Sequence, residues 1–319
     1  MAIAVTKIIL NHMMSTEEEV AEMMCCASCG ITEGDNIKLK KCNACYLERY
    51  CGVKCQKEHR SEHKKACKKR AAELRDEILF KQPEGTDLGD CPICLLPLPF
   101  DTAHTIMSCC SKNICKGCTL ANTMREYQES LEYKCPFCRK LAPTSEEACR
   151  ANVMKRIEAN DPAAMSQMGI DCHKKRDYAG AYKYLAKAAE LGHALAHYNL
   201  SVMYSEGEGV GRDKKKEWYH LEQAAIGGNL KARYSLGIRE KWCNHNSERA
   251  NKHLIIAANQ GHDDSMKKLK ELYASGMVGK EDFAAALRAH QTAVDATKSP
   301  QREFAAEARS KLGGNYGFL

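Results

Sequence analysis

Sixteen residues in the first half of the chain stand in pairs, and their side chains are soft metal ligands. The pairs are Cys26 with Cys29, Cys42 with Cys45, Cys51 with Cys55 and His63 with Cys67, then Cys91 with Cys94, Cys109 with Cys110, Cys115 with Cys118 and Cys135 with Cys138. Each run of four pairs offers eight donors. That is the number two tetrahedral zinc ions need, so four zinc ions are expected, two per run. The first run has too few apolar residues for a core of its own, so bound metal would contribute folding energy directly there. Two ligands have competitors. Cys25 could replace Cys26, though with a longer spacing to Cys29, and His59 stands one helical turn before His63. Spacing favours His63 and leaves His59 as a solvated histidine. No nucleophile, general base or cofactor loop is recognisable, so no catalytic residue is assigned.

The positioning elements follow from the composition. Seventeen of the 19 cysteines precede residue 150, whereas 25 alanines fall in the 159 residues from Asp161 onward. The chain changes character at Asn160-Asp161-Pro162, where Asp161 suits a helix N-cap and Pro162 the first helical position. Residues 68–81 are rich in helix formers, with Leu74, Ile78 and Leu79 on one face, and the segment from Gln82 to Asp87 breaks the pattern. The expected organisation is an unassigned segment 1–24, a first finger 25–67, a helical linker 68–90 and a second finger 91–141. A linker 142–160, helical repeats 161–312 and a tail 313–319 follow. The fold class expected is mainly α, with two small zinc-stabilised fingers ahead of an α-solenoid of helix pairs.

The first run resembles the MYND zinc finger over residues 26–67. The fragment Tyr50-Cys51-Gly52-x-x-Cys55-Gln56 and the ending His63-Lys64-x-x-Cys67 carry the likeness. It implies cross-braced, interleaved pairs, with Cys26, Cys29, Cys51 and Cys55 on one zinc and Cys42, Cys45, His63 and Cys67 on the other. It also implies a protein-binding module, often for short proline-containing segments. Arg60 stands where that family often has tryptophan.

The second run resembles a RING finger over residues 90–141, its pairs separated by 14, 4 and 16 residues. The resemblance implies a brace of Cys91, Cys94, Cys115 and Cys118 on one zinc, with Cys109, Cys110, Cys135 and Cys138 on the other. Lys112 occupies the place of the usual histidine, and Cys109-Cys110 restores the count in an all-cysteine variant that needs a tight turn. The family recruits a ubiquitin-conjugating enzyme and works by proximity and orientation. Ile93, Pro136 and Arg139 fall at the positions that would contact such a partner. The helix expected over 119–130 lacks the tryptophan that many active RING fingers carry.

After residue 161 two periodic series coincide. Small-x-x-x-apolar pairs occur at Ala164/Met168, Ala196/Leu200, Ala232/Leu236 and Ser265/Leu269, in steps of 32, 36 and 33 residues. Paired alanines at 188–189, 224–225 and 257–258 are each followed by Gly192, Gly228 or Gly261, and Ala293-Val294 continues the series. Each unit reads as two helices ending in a left-handed glycine cap. Tyr204-x-x-Gly207-x-Gly209-Val210 with Trp218-Tyr219 resembles a Sel-one-like repeat, a relative of the tetratricopeptide type. That likeness covers residues 161–297 and implies a curved surface for protein partners. Residues 281–295 would be the second helix of the last copy, and a closing helix would run from Ser299-Pro300 to Leu312. Gly207, Gly209 and Gly211 lack the strand and spacing of a phosphate loop. His193, His197, His220, His253, His262 and His290 read as helix-end or surface residues, and Cys25, Cys149, Cys172 and Cys243 as unliganded thiols.

A net charge of +7 is too mild to establish nucleic-acid binding, and the basic run 57–70 reads as a solvated helix face. With a mean hydropathy of −0.50 and no run of about 18 apolar residues, no membrane span is expected. Residues 1–10 lack the form of a secretory leader, so thiols are expected to stay reduced, in the cytoplasm, the nucleus or both. Two functions are carried forward. One is a ubiquitin ligase without its own nucleophile, holding substrate through the first finger and the repeats. The other is a non-enzymatic adaptor built from the same modules.

Overall fold

The computed structural model describes residues 25–34, 36–100 and 104–311, and the chain divides into two compact units, one ending at Lys81 and one starting at Gln82. The expectations for residues 1–24 and 313–319 lie outside the described residues. Among the described residues no helix is long and apolar enough to cross a membrane.

The first unit contains a two-stranded antiparallel ribbon, β1 (Lys40–Lys41) with β2 (Arg49–Tyr50), followed by α1 (Val53–Glu58) and α2 (Arg60–Leu79). Its buried cluster is Cys26, Cys42, Cys45 and Tyr50, so three of its four members are metal-ligand candidates. The helix expected from residue 68 starts eight residues earlier, at Arg60. His63 and Cys67 lie one turn apart on it, so the last ligand pair and the linker helix form one continuous rod.

The second unit opens with residues 82–100 laid along the repeats. Gln260 donates to the Pro83 carbonyl at 3.3 Å, the Asp87 amide to Gly228 O at 3.3 Å, and Asn229 Nδ2 to Asp87 Oδ2 at 2.6 Å. A β-carbon on Gly228 would lie 2.8 Å from Gly85 O, and its φ is +85°. Glycine there serves both the helix-ending turn and the close passage of this strap. Strands β3 (His104–Ile106) and β4 (Asn113–Cys115) then pair antiparallel and lead into α3 (Lys116–Gln128).

The segment 142–160, expected as a linker, contains α4 (Glu146–Glu158). Ser145 caps it by accepting from the Ala148 amide at 3.1 Å, and acidic and basic residues occupy its first and last turns, as the helix dipole favours. Ile157 packs on the core of the first repeat.

The array comprises α5 (Pro162–Lys174), α6 (Tyr178–Glu190), α7 (Ala194–Glu206), α8 (Lys214–Ile226), α9 (Leu230–Trp242), α10 (Ser247–Asn259), α11 (Asp263–Ala274) and α12 (Lys280–Ala296), with α13 (Pro300–Lys311) closing the described chain. Asp161 caps α5, accepting from the amides of Ala163 at 3.0 Å and Ala164 at 3.5 Å. Both periodic series point inward. Ala196, Leu200, Ala232, Leu236, Ser265 and Leu269 are all buried, as are the three alanine pairs. Gly192, Gly228 and Gly261 take φ of 83°, 85° and 86°, as expected of helix-ending glycines. Two glycines inside helices carry no signal in either series: Gly169 faces Leu185 and Gly237 faces Leu254, each one helix on. A β-carbon would come within 2.6 Å of Leu185 at Gly169 and 2.9 Å of Leu254 at Gly237, so these positions set how closely paired helices approach.

Of the histidines expected at helix ends or on the surface, His193 and His262 stand at helix ends, as N-caps, whereas His197 and His253 are buried and fit neither role. His197 Nδ1 lies 2.9 Å from His220 Nδ1. Burial holds His220 down at about 4 and His253 at about 3, against an ordinary value of 6.5.

Leu200→Ala removes a fully enclosed side chain and should destabilise the array by about 2–5 kcal/mol, read by urea titration of the helical circular dichroism. The buried histidines stay neutral in the folded chain while the unfolded chain takes up protons below about 6.5. Their contribution is full above that pH and is lost as pH falls towards about 4. Melting temperature should therefore drop between pH 7 and 5, and His253→Gln should flatten part of that slope in parallel thermal melts.

Candidate metal centres

Four clusters assemble, and each unites non-adjacent pairs. Cys26, Cys29, Cys51 and Cys55 form the first, and Cys42, Cys45, His63 and Cys67 the second. Cys91, Cys94, Cys115 and Cys118 form the third, and Cys109, Cys110, Cys135 and Cys138 the fourth, with donor atoms in each within 4.8 Å of one another. These are the sixteen residues and four sets expected from the sequence.

The donor geometry suits zinc. Tetrahedral zinc with Zn–S near 2.3 Å separates its sulfurs by about 3.8 Å. The Sγ···Sγ distances are 3.6 Å for Cys29–Cys51, 3.5 Å for Cys51–Cys55, 3.8 Å for Cys42–Cys67, 3.8 Å for Cys94–Cys115, 3.9 Å for Cys110–Cys135 and 3.3 Å for Cys109–Cys138. Nε2 of His63 lies 3.2 Å from Cys45 Sγ.

Local turns aim each pair. In five of the pairs a hairpin closes just past the second ligand, and the residue there is left-handed: Gly30, Tyr46, Leu95, Ser111 and Arg139, with φ of 73°, 58°, 57°, 56° and 60°. The amide of that residue donates back to the carbonyl of Cys26, Cys42, Cys91, Met107 or Cys135 at 2.7–3.0 Å. Four non-glycine residues held left-handed mark a turn that the tertiary fold enforces. This hairpin is also how adjacent Cys109 and Cys110 reach one centre. Lys112 stays outside it, its ammonium 5.9 Å from the Phe137 ring. At the Cys115–Cys118 pair the ligands sit instead on the first turn of α3, and the Cys118 amide donates to Cys115 Sγ at 3.4 Å.

Electrostatics divide each cluster. Burial opposes ionisation of Cys26, yet the amides of Cys29, Cys51 and Ser28 outweigh it and bring the thiol to about 6. Burial likewise opposes Cys42 and Cys91, which backbone amides bring to about 6 and about 7. Cys138 is lowered too: burial opposes it, and the Lys140 amide together with hydrogen bonds from Cys109, Cys135 and Cys110 outweighs that. Their neighbours move the other way. Hydrogen bonding to Cys55 pushes Cys51 up to about 12, burial takes Cys67 to about 12 and Cys110 to about 11, and Cys109 and Cys118 also rise. Each centre thus draws one thiol towards the thiolate and resists further negative charge, which a divalent cation bound there would offset.

His59 and His63 separate cleanly. His63 belongs to the second cluster, while His59 is shielded from solvent, places Nδ1 3.1 Å from the Tyr50 hydroxyl and stacks on the His63 ring at 5.8 Å. His59 is therefore not the solvated residue expected; it braces the ligand beside it.

Around the last pair, Glu126 is buried on α3. Its Oε2 accepts from Asn122 Nδ2 at 2.8 Å and from the Lys134 amide at 3.2 Å, which ties the helix to the chain entering Cys135. Arg139 donates to Asn122 Oδ1 at 3.1 Å and lies 3.7 Å from Glu126 Oε1. Glu126 and Asn122 were not among the residues expected at the site, because a helical glutamate and asparagine carry no spacing signal of their own.

The family profile of the MYND finger matches residues 26–67. That of the Sel1 repeat matches residues 163–193, 194–229 and 232–262. The chain carries a MYND finger and three Sel1 repeats. Among curated proteins it is 26% identical over 175 residues to the mouse (Mus musculus) DAP3-binding cell death enhancer 1, a match spanning 43% of this chain and 34% of that protein. It is 35% identical over 68 residues to the beta-lactamase HcpA of Helicobacter pylori, spanning 21% of this chain and 26% of that protein. The chain thus spans about a third or less of these relatives' length. Among solved structures, a Sel1 repeat protein from Oxalobacter formigenes aligns with 25% identity and a TM-score of 0.43, over 54% of this chain and 70% of that one. A protective antigen of uropathogenic Escherichia coli with an SLR fold aligns with 17% identity and a TM-score of 0.39, over 56% of this chain and 38% of that one. The MYND finger and the Sel1 repeats make the chain a zinc-binding protein-interaction scaffold.

Native mass spectrometry should find one zinc fewer in His63→Ala than in the wild type, and no loss in His59→Ala. The opposite pattern would reassign the ligand.

Proposed function

We propose that the chain is a RING-type ubiquitin ligase with no nucleophile of its own. It binds four zinc ions, and its second finger, residues 91–141, recruits a ubiquitin-conjugating enzyme. The MYND finger and the array of residues 161–312 hold the protein to be modified. Catalysis would then consist of positioning a loaded thioester beside a substrate lysine.

The observation that carries this reading is the exposed apolar surface on the hairpins of the second finger. Ile93 and Leu95, on the first hairpin, are 42% and 74% exposed, and Phe137, beside half-buried Pro136, is 43% exposed. A zinc-stabilised spacer has no need of large apolar side chains at these turns, whereas a docking face does. Arg139 supports the same reading, since Asn122 and Glu126 hold its guanidinium at the surface with donors to spare.

A second reading, the non-enzymatic adaptor, rests on the same bonds seen the other way: Arg139 already has partners within the finger. The mouse relative is named for binding another protein, which fits either reading. Both place the protein where thiols stay reduced, in the cytoplasm, the nucleus or both.

The test is discharge of ubiquitin from a panel of loaded conjugating enzymes onto free lysine. Wild type should accelerate discharge at least tenfold, and Ile93→Ala and Arg139→Ala should each abolish the acceleration at unchanged zinc content. No acceleration by protein holding four zinc ions would leave the adaptor.

A further inference from the structure

We infer that Arg302, on the closing helix α13, is an outer-sphere clamp on the centre formed by Cys91, Cys94, Cys115 and Cys118. Retention of that ion then depends on α13 being docked. The inference rests on the reading that the second cysteine run binds zinc.

The contacts converge on one guanidinium. Its Nη1 donates to Pro97 O at 2.6 Å and to Thr297 O at 2.7 Å. Its Nη2 donates to Leu96 O at 3.1 Å and to Cys94 Sγ at 3.3 Å. Three of these four acceptors belong to the hairpin that presents Cys91 and Cys94. The Leu96 carbonyl also accepts from the Cys91 amide at 3.0 Å, so Arg302 grips the bond that closes the hairpin. The fourth acceptor, Thr297, follows α12 and anchors the arginine to the end of the array. A planar fork with fixed donors can serve four acceptors in this way, and a lysine cannot.

The other ligand pair is held from the same side. Gly117 lies between Cys115 and Cys118, and a β-carbon on it would meet Arg302 N at 2.9 Å and Arg302 Cα at 3.0 Å. The backbones of α3 and α13 therefore touch at the centre, and one residue of α13 meets both halves of the ligand set. Burial works against the charge on Arg302, and the sulfurs of Cys94 and Cys115 more than compensate. Donation to a ligand sulfur orients it and stabilises the thiolate a metal needs. Loss of an outer-sphere partner of this kind typically weakens metal affinity about 10–100-fold.

The test uses the full chain loaded with zinc and challenged with a chromogenic chelator. Wild type should release four ions slowly. Arg302→Ala should release one of the four at least about tenfold faster, with the other three and the helical circular dichroism unchanged. Arg302→Lys should fall between them, and Phe304→Ala, at a position 52% exposed on the same helix, should match wild type. In cobalt-substituted protein, the thiolate-to-metal charge-transfer absorption should shift to lower energy in Arg302→Ala, because the sulfur lone pair loses its donor. Wild-type release rates with an unshifted band would overturn the clamp. So would loss of several ions together with the helical signal, since that reports general unfolding. Wild-type protein holding only two ions would overturn the underlying reading of the second run, and the clamp with it.

Discussion

Four soft donors meet at one point, four times over, in segments with almost no other core. This constraint organises the first half of the molecule. In the MYND finger the buried cluster is three ligand cysteines and Tyr50; in the second finger it is four cysteines with Leu98 and Ile114. Thiols gathered this closely resist shared negative charge, which is why one member of each set is drawn towards the thiolate while neighbours are pushed away from it. The hairpins bear a cost in left-handed residues such as Tyr46, Leu95, Ser111 and Arg139. Such backbone persists only where the surroundings over-determine it.

The second half solves the opposite problem. Its helices have abundant apolar surface and need close approach, which alanine, serine and glycine at repeating positions permit. Leu185 and Leu254 fill the space opposite Gly169 and Gly237. The two kinds of architecture join in one compact unit from Gln82 onward. Residues 82–100 pair with the ends of successive repeats through Asn229 and Gln260, and α13 returns to lie against α3. The second finger is thus held along its entering strap and against its helix. A face presented on it has a defined orientation to the array, which suits a scaffold that brings two partners together.

Much of this was legible beforehand. All sixteen clustered positions, the two inward-facing series and the three glycine caps are visible as spacing, because metal coordination and helix packing both impose periodic rules on residue type; the interleaved order is what the resemblance to the two finger families implies. What escaped notice had no such rule. Glu126 and Asn122 look like ordinary helical residues until the chain returns to place Lys134 and Arg139 beside them. His197 and His253 look like surface histidines until neighbouring helices cover them. The helix at 146–158 had its capping serine and its charges in view, yet without the array to pack on it read as a linker.

The sequence by itself determined which residues could bind metal and that repeats of about 32–36 residues follow, since these depend on residue type and separation along the chain, while the interleaving of the pairs was implied by the family resemblances. Only the tertiary structure decided that His59 braces rather than ligates and that Arg139 is held by Asn122 and Glu126. It alone showed Arg302 reaching Cys94 across 208 positions of chain. The physical reason is range. Ligand pairs, caps and helical faces are local and leave a periodic trace, whereas a hydrogen bond between remote segments exists only once the elements between them have packed.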